Sequence, residues 1–290
     1  MDATSEILIV RVKGGREEEL TDQVASETAF TLFVNGNVLV SLLCSPIELD
    51  AMAIGFMLSE GILTDREALR AIKVDETSSS VYVELSDLPE NWDSLFHKKT
   101  ITSGCGQGVT FTDATNLSPL SQRRTPLTIS SSSIKELLKK FREMSELYVN
   151  TGGVHSAAFT DGKDILLFAE DIGRHNAVDK LIGKAFLRGL VMTDKILLSS
   201  GRISGEIMTK VVRNRIPVLI SRTAPTCMSI TYAENNGVTL IGFARGDRMN
   251  IYTHPDKIAF AAEEEAAAET AVDPSAGTSS GSNLVTAVNA

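Results

Sequence analysis

Cysteine is scarce in this chain: its 290 residues include only Cys44, Cys105 and Cys227, at unrelated spacings. An odd, scattered set of thiols does not provide a disulfide framework, so we expect reduced thiols and a cytoplasmic location. The chain also lacks the apolar run of about 20 residues that a transmembrane helix needs. No basic segment followed by an apolar one marks a secretory signal, and no membrane association is predicted.

Several signatures of common enzyme classes are missing as well. No Gly-x-x-x-x-Gly-Lys-Ser/Thr sequence occurs, and no glycine-rich Rossmann fingerprint follows the first strand, which argues against both nucleotide-binding classes. A zinc deaminase needs His-x-Glu at one helix start and Pro-Cys-x-x-Cys at the next. Here the corresponding helix starts His175-Asn176-Ala177, and the next starts near Gly201-Arg202 without cysteines. We therefore expect no bound zinc.

Basic residues are absent from the C-terminal segment 261–290, which holds five of the 37 acidic residues. The segment is rich in Ala, Ser, Gly and Thr, and we predict a disordered acidic tail. Without it the net charge of −9 falls to about −4. Residues 1–260 are thus close to neutral and have no excess of basic charge, so we expect no nucleic acid partner. Local charge should decide which ligands bind.

The first half of the chain, residues 1–125, is predicted to form a small α+β part. Asn35-Gly36 between two apolar runs indicates a β-hairpin, because both residues tolerate a positive φ. Residues 48–60 carry an apolar helical face and are followed by Gly61, a natural helix end. Between 91 and 124 the periodicity fades, and we interpret this stretch, which holds Cys105, as a functional connecting segment. The strands expected are 7–12, Thr28–Val34, 38–44, 71–74 and Ser80–Leu85.

Residues 126–260 are predicted to form an α/β domain, a mixed sheet covered by helices. Ser133 and Glu136 indicate a capping box at the start of a helix, and Asp161-Gly162 a second hairpin. Short apolar strands then alternate with helices, which favours a largely parallel sheet. The strands expected are His155–Thr160, 163–169, 195–199, 217–221 and 238–243, and the helices 176–190, 205–215 and 225–236.

An arginine follows four successive strands of this second domain. We call Arg174, Arg202, Arg222, Arg245 and the adjacent Arg248 the arginine rim. In an open α/β sheet the carboxyl ends of the strands form the ligand crevice. Helix N-termini there attract anions, and the guanidinium group grips phosphate with two hydrogen bonds. A single such arginine is equally explained as a surface residue or an ion-pair partner, but recurrence at every strand end favours a nucleotide or dinucleotide ligand.

Cys105 lies in a Ser103-Gly104-Cys105-Gly106 loop, where flanking glycines leave the sulfur accessible. Accessibility and time spent as thiolate are what a nucleophilic cysteine requires. Cys44 closes an apolar run and is interpreted as core. For Cys227 core packing is also favoured. Cys105 is therefore the candidate catalytic residue.

Five segments of the chain carry a family resemblance. They are ELDAMAIGFMLSEG (48–61), TGGVHSAA (151–158), EDIGRHNAVDK (170–180), SSGR (199–202) and FARGDRMNIY (243–252). Together they resemble the formate dehydrogenase accessory sulfurtransferase (FdhD) family over roughly residues 25–257.

The resemblance implies a fold, a function and a site. Such proteins take sulfur from a cysteine desulfurase as a persulfide and pass it to the molybdenum (or tungsten) bis-pterin guanine dinucleotide cofactor of the formate dehydrogenase catalytic subunit. The α/β domain would be similar to the cytidine deaminase fold, and the protein would be a homodimer. Cys105 would carry the persulfide. We assign the arginine rim as candidate phosphate contacts, among them Arg174, Arg202 and Arg222. His175 is a candidate polar contact or proton relay, and it is equally explained as a structural residue at a helix N-terminus. The guanine dinucleotide segment would be Phe243, Ala244, Arg245, Gly246, Asp247 and Arg248.

The loop departs from the family pattern at one position. Many members carry Cys-x-x-Cys, whereas Gly108 stands here in the second place. A single cysteine suffices to hold a persulfide, so we expect one sulfur carrier per chain. The alternative function is a non-catalytic chaperone that holds the cofactor for formate dehydrogenase.

Overall fold

The structure, a computed structural model, describes residues 2–89, 92, 100–101, 109–110, 127–246 and 248–259. The predicted tail at 261–290 lies outside these ranges, and so do most of the connecting segment and the predicted boundary at 125/126. Across the described ranges no helix is long and apolar enough to cross a membrane.

The chain begins with an antiparallel hairpin of β1 (Thr4–Lys13) and β2 (Arg16–Ala25). Gly14 and Gly15 form its turn with φ of 59° and 77°, values that glycine adopts without steric cost. The strand predicted at 7–12 is confirmed, but the sequence analysis missed β2. Its three consecutive glutamates have low strand propensity, and the glycine pair was the available signal.

A four-stranded sheet follows, and the predicted Asn35-Gly36 hairpin, which is confirmed, forms one edge of it. The Asn35 side chain ties the turn to a neighbouring strand through the backbone N–H and C=O of Leu85, at 2.8 and 3.1 Å. Residues 100–101 and 109–110 form a further short antiparallel pair. The elements are β3 (Thr28–Val34), β4 (Asn37–Cys44), α1 (Leu49–Glu60), β5 (Leu69–Asp75), β6 (Ser80–Leu85), β7 (Thr100–Ile101) and β8 (Val109–Thr110). The strand order in the four-stranded sheet is β4-β3-β6-β5.

The second half is built on a six-stranded mixed sheet. The elements are β9 (Ile129–Ser130), α2 (Ser131–Glu143), α3 (Glu146–Thr151), β10 (His155–Thr160), β11 (Ile165–Asp171), α4 (Arg174–Leu187), β12 (Ile196–Ser199), α5 (Gly205–Arg213), β13 (Val218–Ser221), α6 (Cys227–Asn235), β14 (Thr239–Arg245), β15 (Arg248–Thr253), a 3-10 turn (Pro255–Lys257) and β16 (Ile258–Ala259), which pairs with β9. The strand order in the sheet is β11-β10-β12-β13-β14-β15. Strands β12, β13 and β14 are parallel, and β10 and β15 are antiparallel to their neighbours. The predicted mixed α/β architecture is therefore confirmed.

The N-cap residue of helix α2 lies three residues before the predicted one. Ser130 is the N-cap residue and accepts a hydrogen bond from the Ser133 N–H at 3.0 Å. The prediction that Ser133 caps this helix is therefore wrong. Four consecutive serines (130–133) offer alternative caps, and the pairing of β9 with β16 fixes the chain at Ser130.

Helix α1 is buried on every side rather than on the single face predicted. Of its twelve residues all but Asp50 are buried. The reason is its place in the fold: one hydrophobic core joins α1 to β3, β4 and β6 on one side and to α4 and α5 on the other. A separate core packs α2 against the opposite face of the six-stranded sheet.

Two glycines let α1 and α4 approach to backbone contact. A Cβ atom added to Gly55 would lie 1.7 Å from the Asp179 carbonyl oxygen, and one added to Gly183 would lie 1.9 Å from that of Ala51. No side chain fits at either position. This contact fixes the helix that begins the arginine rim against the first half of the chain.

Candidate functional site

The topology brings the predicted strand ends to one edge of the six-stranded sheet. Strand β11 runs parallel to β12, β13 and β14, because β10 is antiparallel to both β11 and β12. The carboxyl ends of these four strands, and the amino end of β10, therefore lie together. Arg174, Arg202, Arg222 and Arg245 follow or end these strands, so the fold gathers at one edge the residues that the sequence singled out. Their role as ligand contacts stays a prediction.

Arg174 is the first residue of α4, and it packs against the loop after β12. A Cβ atom on Gly201 would lie only 2.7 Å from the Arg174 Cβ, so this close approach requires glycine. The Arg174 Nε is buried and has no hydrogen-bond partner among the described residues. An unsatisfied buried donor carries a desolvation cost that a bound anion would relieve. The Arg174 Nε–H is thus placed to donate a hydrogen bond to an oxygen of a bound anion.

His155, at the start of β10, adds a group to the rim that the sequence analysis missed. Its Nδ1 lies 3.3 Å from the Ser200 Oγ. Burial lowers the pKa of His155, and the positive charges of Arg174, His175 and Arg202 lower this pKa further. The imidazole is therefore neutral at pH 7, and it can donate or accept a hydrogen bond beside the arginines. Its position two residues after Gly152-Gly153, at the start of a strand, was the signal available in the sequence.

Arg222 and Arg245 form the other side of the rim. The Arg245 Nε donates to the Arg222 carbonyl at 2.9 Å, and the Arg222 N–H lies 3.4 Å from the Ser199 carbonyl. Arg222 is half-buried and Arg245 is exposed. Both guanidinium groups therefore start from anchored backbone positions at adjacent strand ends.

The segment from Phe243 leaves the sheet at a bulge between β14 and β15. Phe243 has φ of 52°, a left-handed conformation that is strained for a non-glycine residue and typical of functional sites. Its N–H donates to the Thr223 carbonyl at 3.1 Å, and the residue is 37% exposed. Arg248 pairs with Arg245 across the turn. Asp247 lies outside the described residues.

His175 bridges the first turns of two helices. Its Nε2 lies 3.0 Å from a Glu206 carboxylate oxygen and 3.3 Å from the Ser204 Oγ, and Ser204 is the N-cap residue of α5. Burial lowers the pKa of His175, and the hydrogen bond to Glu206 opposes that shift. These contacts are the kind that a structural residue at a helix start makes, and the roles of ligand contact and proton relay stay predictions.

The three cysteines differ sharply in their surroundings. Cys105 lies outside the described residues. Cys44 is fully buried, as predicted, and burial raises the pKa of its thiol to about 12. Cys227 is the first residue of α6 and is exposed, so the prediction that it packs in the core is wrong. Thr226 and Ser229 form a capping box there, which turns the first helical position towards solvent.

In the described part of the chain, no group of three His, Cys, Asp or Glu residues is placed to hold a metal ion. The starts of α4 and α5 hold the His175, Ser204 and Glu206 contacts described above.

Comparisons with known proteins match most of the chain. Residues 25–259 match the profile of the FdhD/NarQ family. The sulfur carrier protein FdhD of Wolinella succinogenes is 44% identical over 248 residues, which cover 83% of this chain and 84% of that protein. The protein of the same name from Staphylococcus aureus strain MRSA252 is 35% identical over 251 residues, which cover 86% of this chain and 94% of that protein.

Among solved structures, a similar one comes from Desulfotalea psychrophila, a protein whose proposed role is that of a formate dehydrogenase accessory protein. The TM-score is 0.73 with 24% sequence identity, over 89% of this chain and 100% of that one. This likeness supports the fold.

Proposed function

We propose that this chain, which belongs to the FdhD/NarQ family, is a sulfur carrier that delivers sulfur to a formate dehydrogenase. The observation that carries the proposal is the 44% identity, over 83% of the chain, to a protein named as a sulfur carrier. Cys105 holds the sulfur as a persulfide supplied by a cysteine desulfurase. The acceptor is the molybdenum bis-pterin guanine dinucleotide cofactor, which this protein handles as a substrate.

The first chemical step is a thiol exchange at Cys105. The Cys105 thiolate attacks the terminal sulfur of the desulfurase persulfide, the donor S–S bond breaks, and the donor leaves as a thiolate. Cys105 then carries one sulfane sulfur. Because Gly108 replaces a second loop cysteine, each chain carries one such sulfur on this loop.

The arginine rim supports a dinucleotide acceptor. Several guanidinium groups at one sheet edge match a ligand with several phosphates, and the buried, unpartnered Nε of Arg174 favours an anion there. Phe243, Ala244, Arg245, Gly246, Asp247 and Arg248 contact the guanine dinucleotide in this proposal, and Arg174, His175, Arg202 and Arg222 contact the phosphates. We further propose that the protein works as a homodimer in the cytoplasm and docks on the catalytic subunit of formate dehydrogenase.

A second candidate is a non-catalytic chaperone that holds the cofactor and docks on formate dehydrogenase. Gly108 in place of a cysteine favours it. This function needs the arginine rim but no chemistry at Cys105.

Sulfur loading separates the two functions. The protein is incubated with a cysteine desulfurase and cysteine, and its intact mass is measured without reductant. We expect an increase of one sulfur atom, mapped to Cys105, that is absent in Cys105→Ser and present in Cys227→Ser. Cys227→Ser is the matched control because its thiol is exposed. An unmodified wild-type mass would refute sulfur transfer and leave the chaperone function.

Nucleotide binding tests the rim independently. We expect the wild-type protein to bind GDP, and Arg202→Ala or Arg245→Ala to weaken that binding at least tenfold, since a charge-assisted hydrogen bond contributes about 1.5–3 kcal/mol. Arg16→Ala, at the turn of the N-terminal hairpin, is the control with equal charge change. Equal affinity of the rim variants and wild type would contradict the ligand assignment.

A further inference from the structure

A fully buried ion pair lies directly beneath the arginine rim. The Lys180 Nζ is 2.7 Å from the Asp171 Oδ2, and both side chains are 0% exposed. Asp171 ends β11, and Lys180 lies two turns into α4. A buried ion pair is poor evidence for added stability, because well-packed apolar residues of similar volume often stabilise a fold as well. We therefore interpret this pair as favouring one conformation of the chain.

The Asp171 carboxylate makes three more hydrogen bonds. Its Oδ2 accepts from the Ser45 N–H at 2.9 Å, and its Oδ1 accepts from the Gly173 N–H and the Asn176 side chain, both at 2.8 Å. Lys180 in turn donates to the Ser45 carbonyl at 3.0 Å. Two segments distant in sequence are thereby locked to one carboxylate.

These contacts fix the turn that leads into the rim. The Ile172 N–H donates to the Ser45 Oγ at 3.1 Å, and Gly173 is held by Asp171. Gly173 is the N-cap residue of α4 and has no side chain of its own to cap the helix. The network therefore sets the start of α4, where Arg174 and His175 stand.

We infer that Asp171 and Lys180 are positioning residues that order the turn 172–173 and so aim Arg174 and His175 at an anionic ligand. The inference rests on the proposed function for the identity of that ligand. Asp171 and Lys180 are too deeply buried to touch it.

The same helix supplies a matched control pair. Asp179 of α4 accepts from the Lys210 Nζ at 2.8 and 2.9 Å and from the Ser59 Oγ at 2.6 Å. This pair is also buried and also joins distant segments. In the described part of the chain, no side-chain hydrogen bond links Asp179 or Lys210 to residues 172–175. Neutralising either aspartate removes a buried ion pair. Only the Asp171 carboxylate accepts a hydrogen bond from the turn 172–173.

The experiment compares Asp171→Asn with Asp179→Asn in the full-length protein by two measurements. The first is amide hydrogen exchange of residues 172–173, which needs no ligand. The second is the affinity for GDP, measured well below both melting temperatures. We expect Asp171→Asn to accelerate exchange at 172–173 at least tenfold and to weaken GDP binding about tenfold, the effect of one misplaced charge-assisted contact. Asp179→Asn is expected to leave both within about twofold, even with an equal loss of melting temperature.

Unchanged exchange at 172–173 in Asp171→Asn would overturn the inference, and so would equal weakening of GDP binding by Asp179→Asn. If the wild-type protein does not bind GDP, the proposed ligand is wrong, while the exchange measurement still decides whether the network orders the turn. Should Asp171→Asn not fold, the half-buried Asn176→Ala removes one contact to the same carboxylate and supports the same comparison.

Discussion

Replacing Gly55 by alanine tests the helix contact that joins the two halves of the chain. The new Cβ would lie 1.7 Å from the Asp179 carbonyl oxygen and 2.9 Å from the Gly183 nitrogen. Both atoms belong to the α4 backbone, so no side-chain rotation relieves the overlap and the helices must separate. Overpacking costs about 1–3 kcal/mol, and the obstacle here favours the upper end.

The better helix propensity of alanine returns about 1 kcal/mol, which leaves a net loss of about 2 kcal/mol for Gly55→Ala. The melting temperature should fall by about 4–8 °C, measured by calorimetry together with urea unfolding. Gly205→Ala is the matched control: its Cβ meets the sulfur of Met228, a side chain 53% exposed and free to rotate. We expect that change to stay within about 0.5 kcal/mol. A Gly55→Ala variant as stable as wild type would refute the reasoning.

Three further outcomes follow from buried groups. At pH 8 iodoacetamide should label Cys227 and leave Cys44 unmodified in the native protein, since the Cys44 pKa is raised to about 12; labelling of Cys44 without unfolding would contradict its burial. Burial lowers the pKa of His175 and of His155 in the folded protein. The unfolded chain, in which the histidine pKa is about 6.5, therefore binds more protons than the folded protein as the pH drops through that value. The free energy of unfolding should fall with the pH there and on through the lower pKa values of the folded protein. His175→Asn should flatten this urea-measured dependence, and an unchanged pH profile would argue against it. Lys180→Met leaves the Asp171 charge buried and should cost about 3–5 kcal/mol of unfolding free energy, and a loss below 1 kcal/mol would mean that the charge finds another partner.

Local signals predicted the elements well where turn chemistry and apolar runs agree. Asn35-Gly36 predicted one hairpin, and Asp161-Gly162 predicted another between β10 and β11. The alternation of short apolar strands with helices after residue 190 predicted β12 to β14 and their common edge. The arginine rim could be anticipated from the sequence because residues at equivalent strand ends meet once the strands are parallel.

Contacts between distant residues could not be predicted in the same way. The Asp171 carboxylate meets Ser45, 126 residues away in sequence, and no local pattern encodes that pairing. The burial of α1 on every side likewise depends on two layers that close over it. His155 and Glu206 escaped notice because each looks like an ordinary polar residue until the fold sets it beside Arg174 or His175.

The central claim is that Cys105 carries one sulfur per chain. The most direct test is to load the protein with a cysteine desulfurase and cysteine, remove the donor, and release sulfane sulfur with cold cyanide as thiocyanate. We predict one thiocyanate per chain for wild type and for Cys227→Ser, and none for Cys105→Ser. Loss of the thiocyanate in Cys227→Ser, or its persistence in Cys105→Ser, would contradict the account.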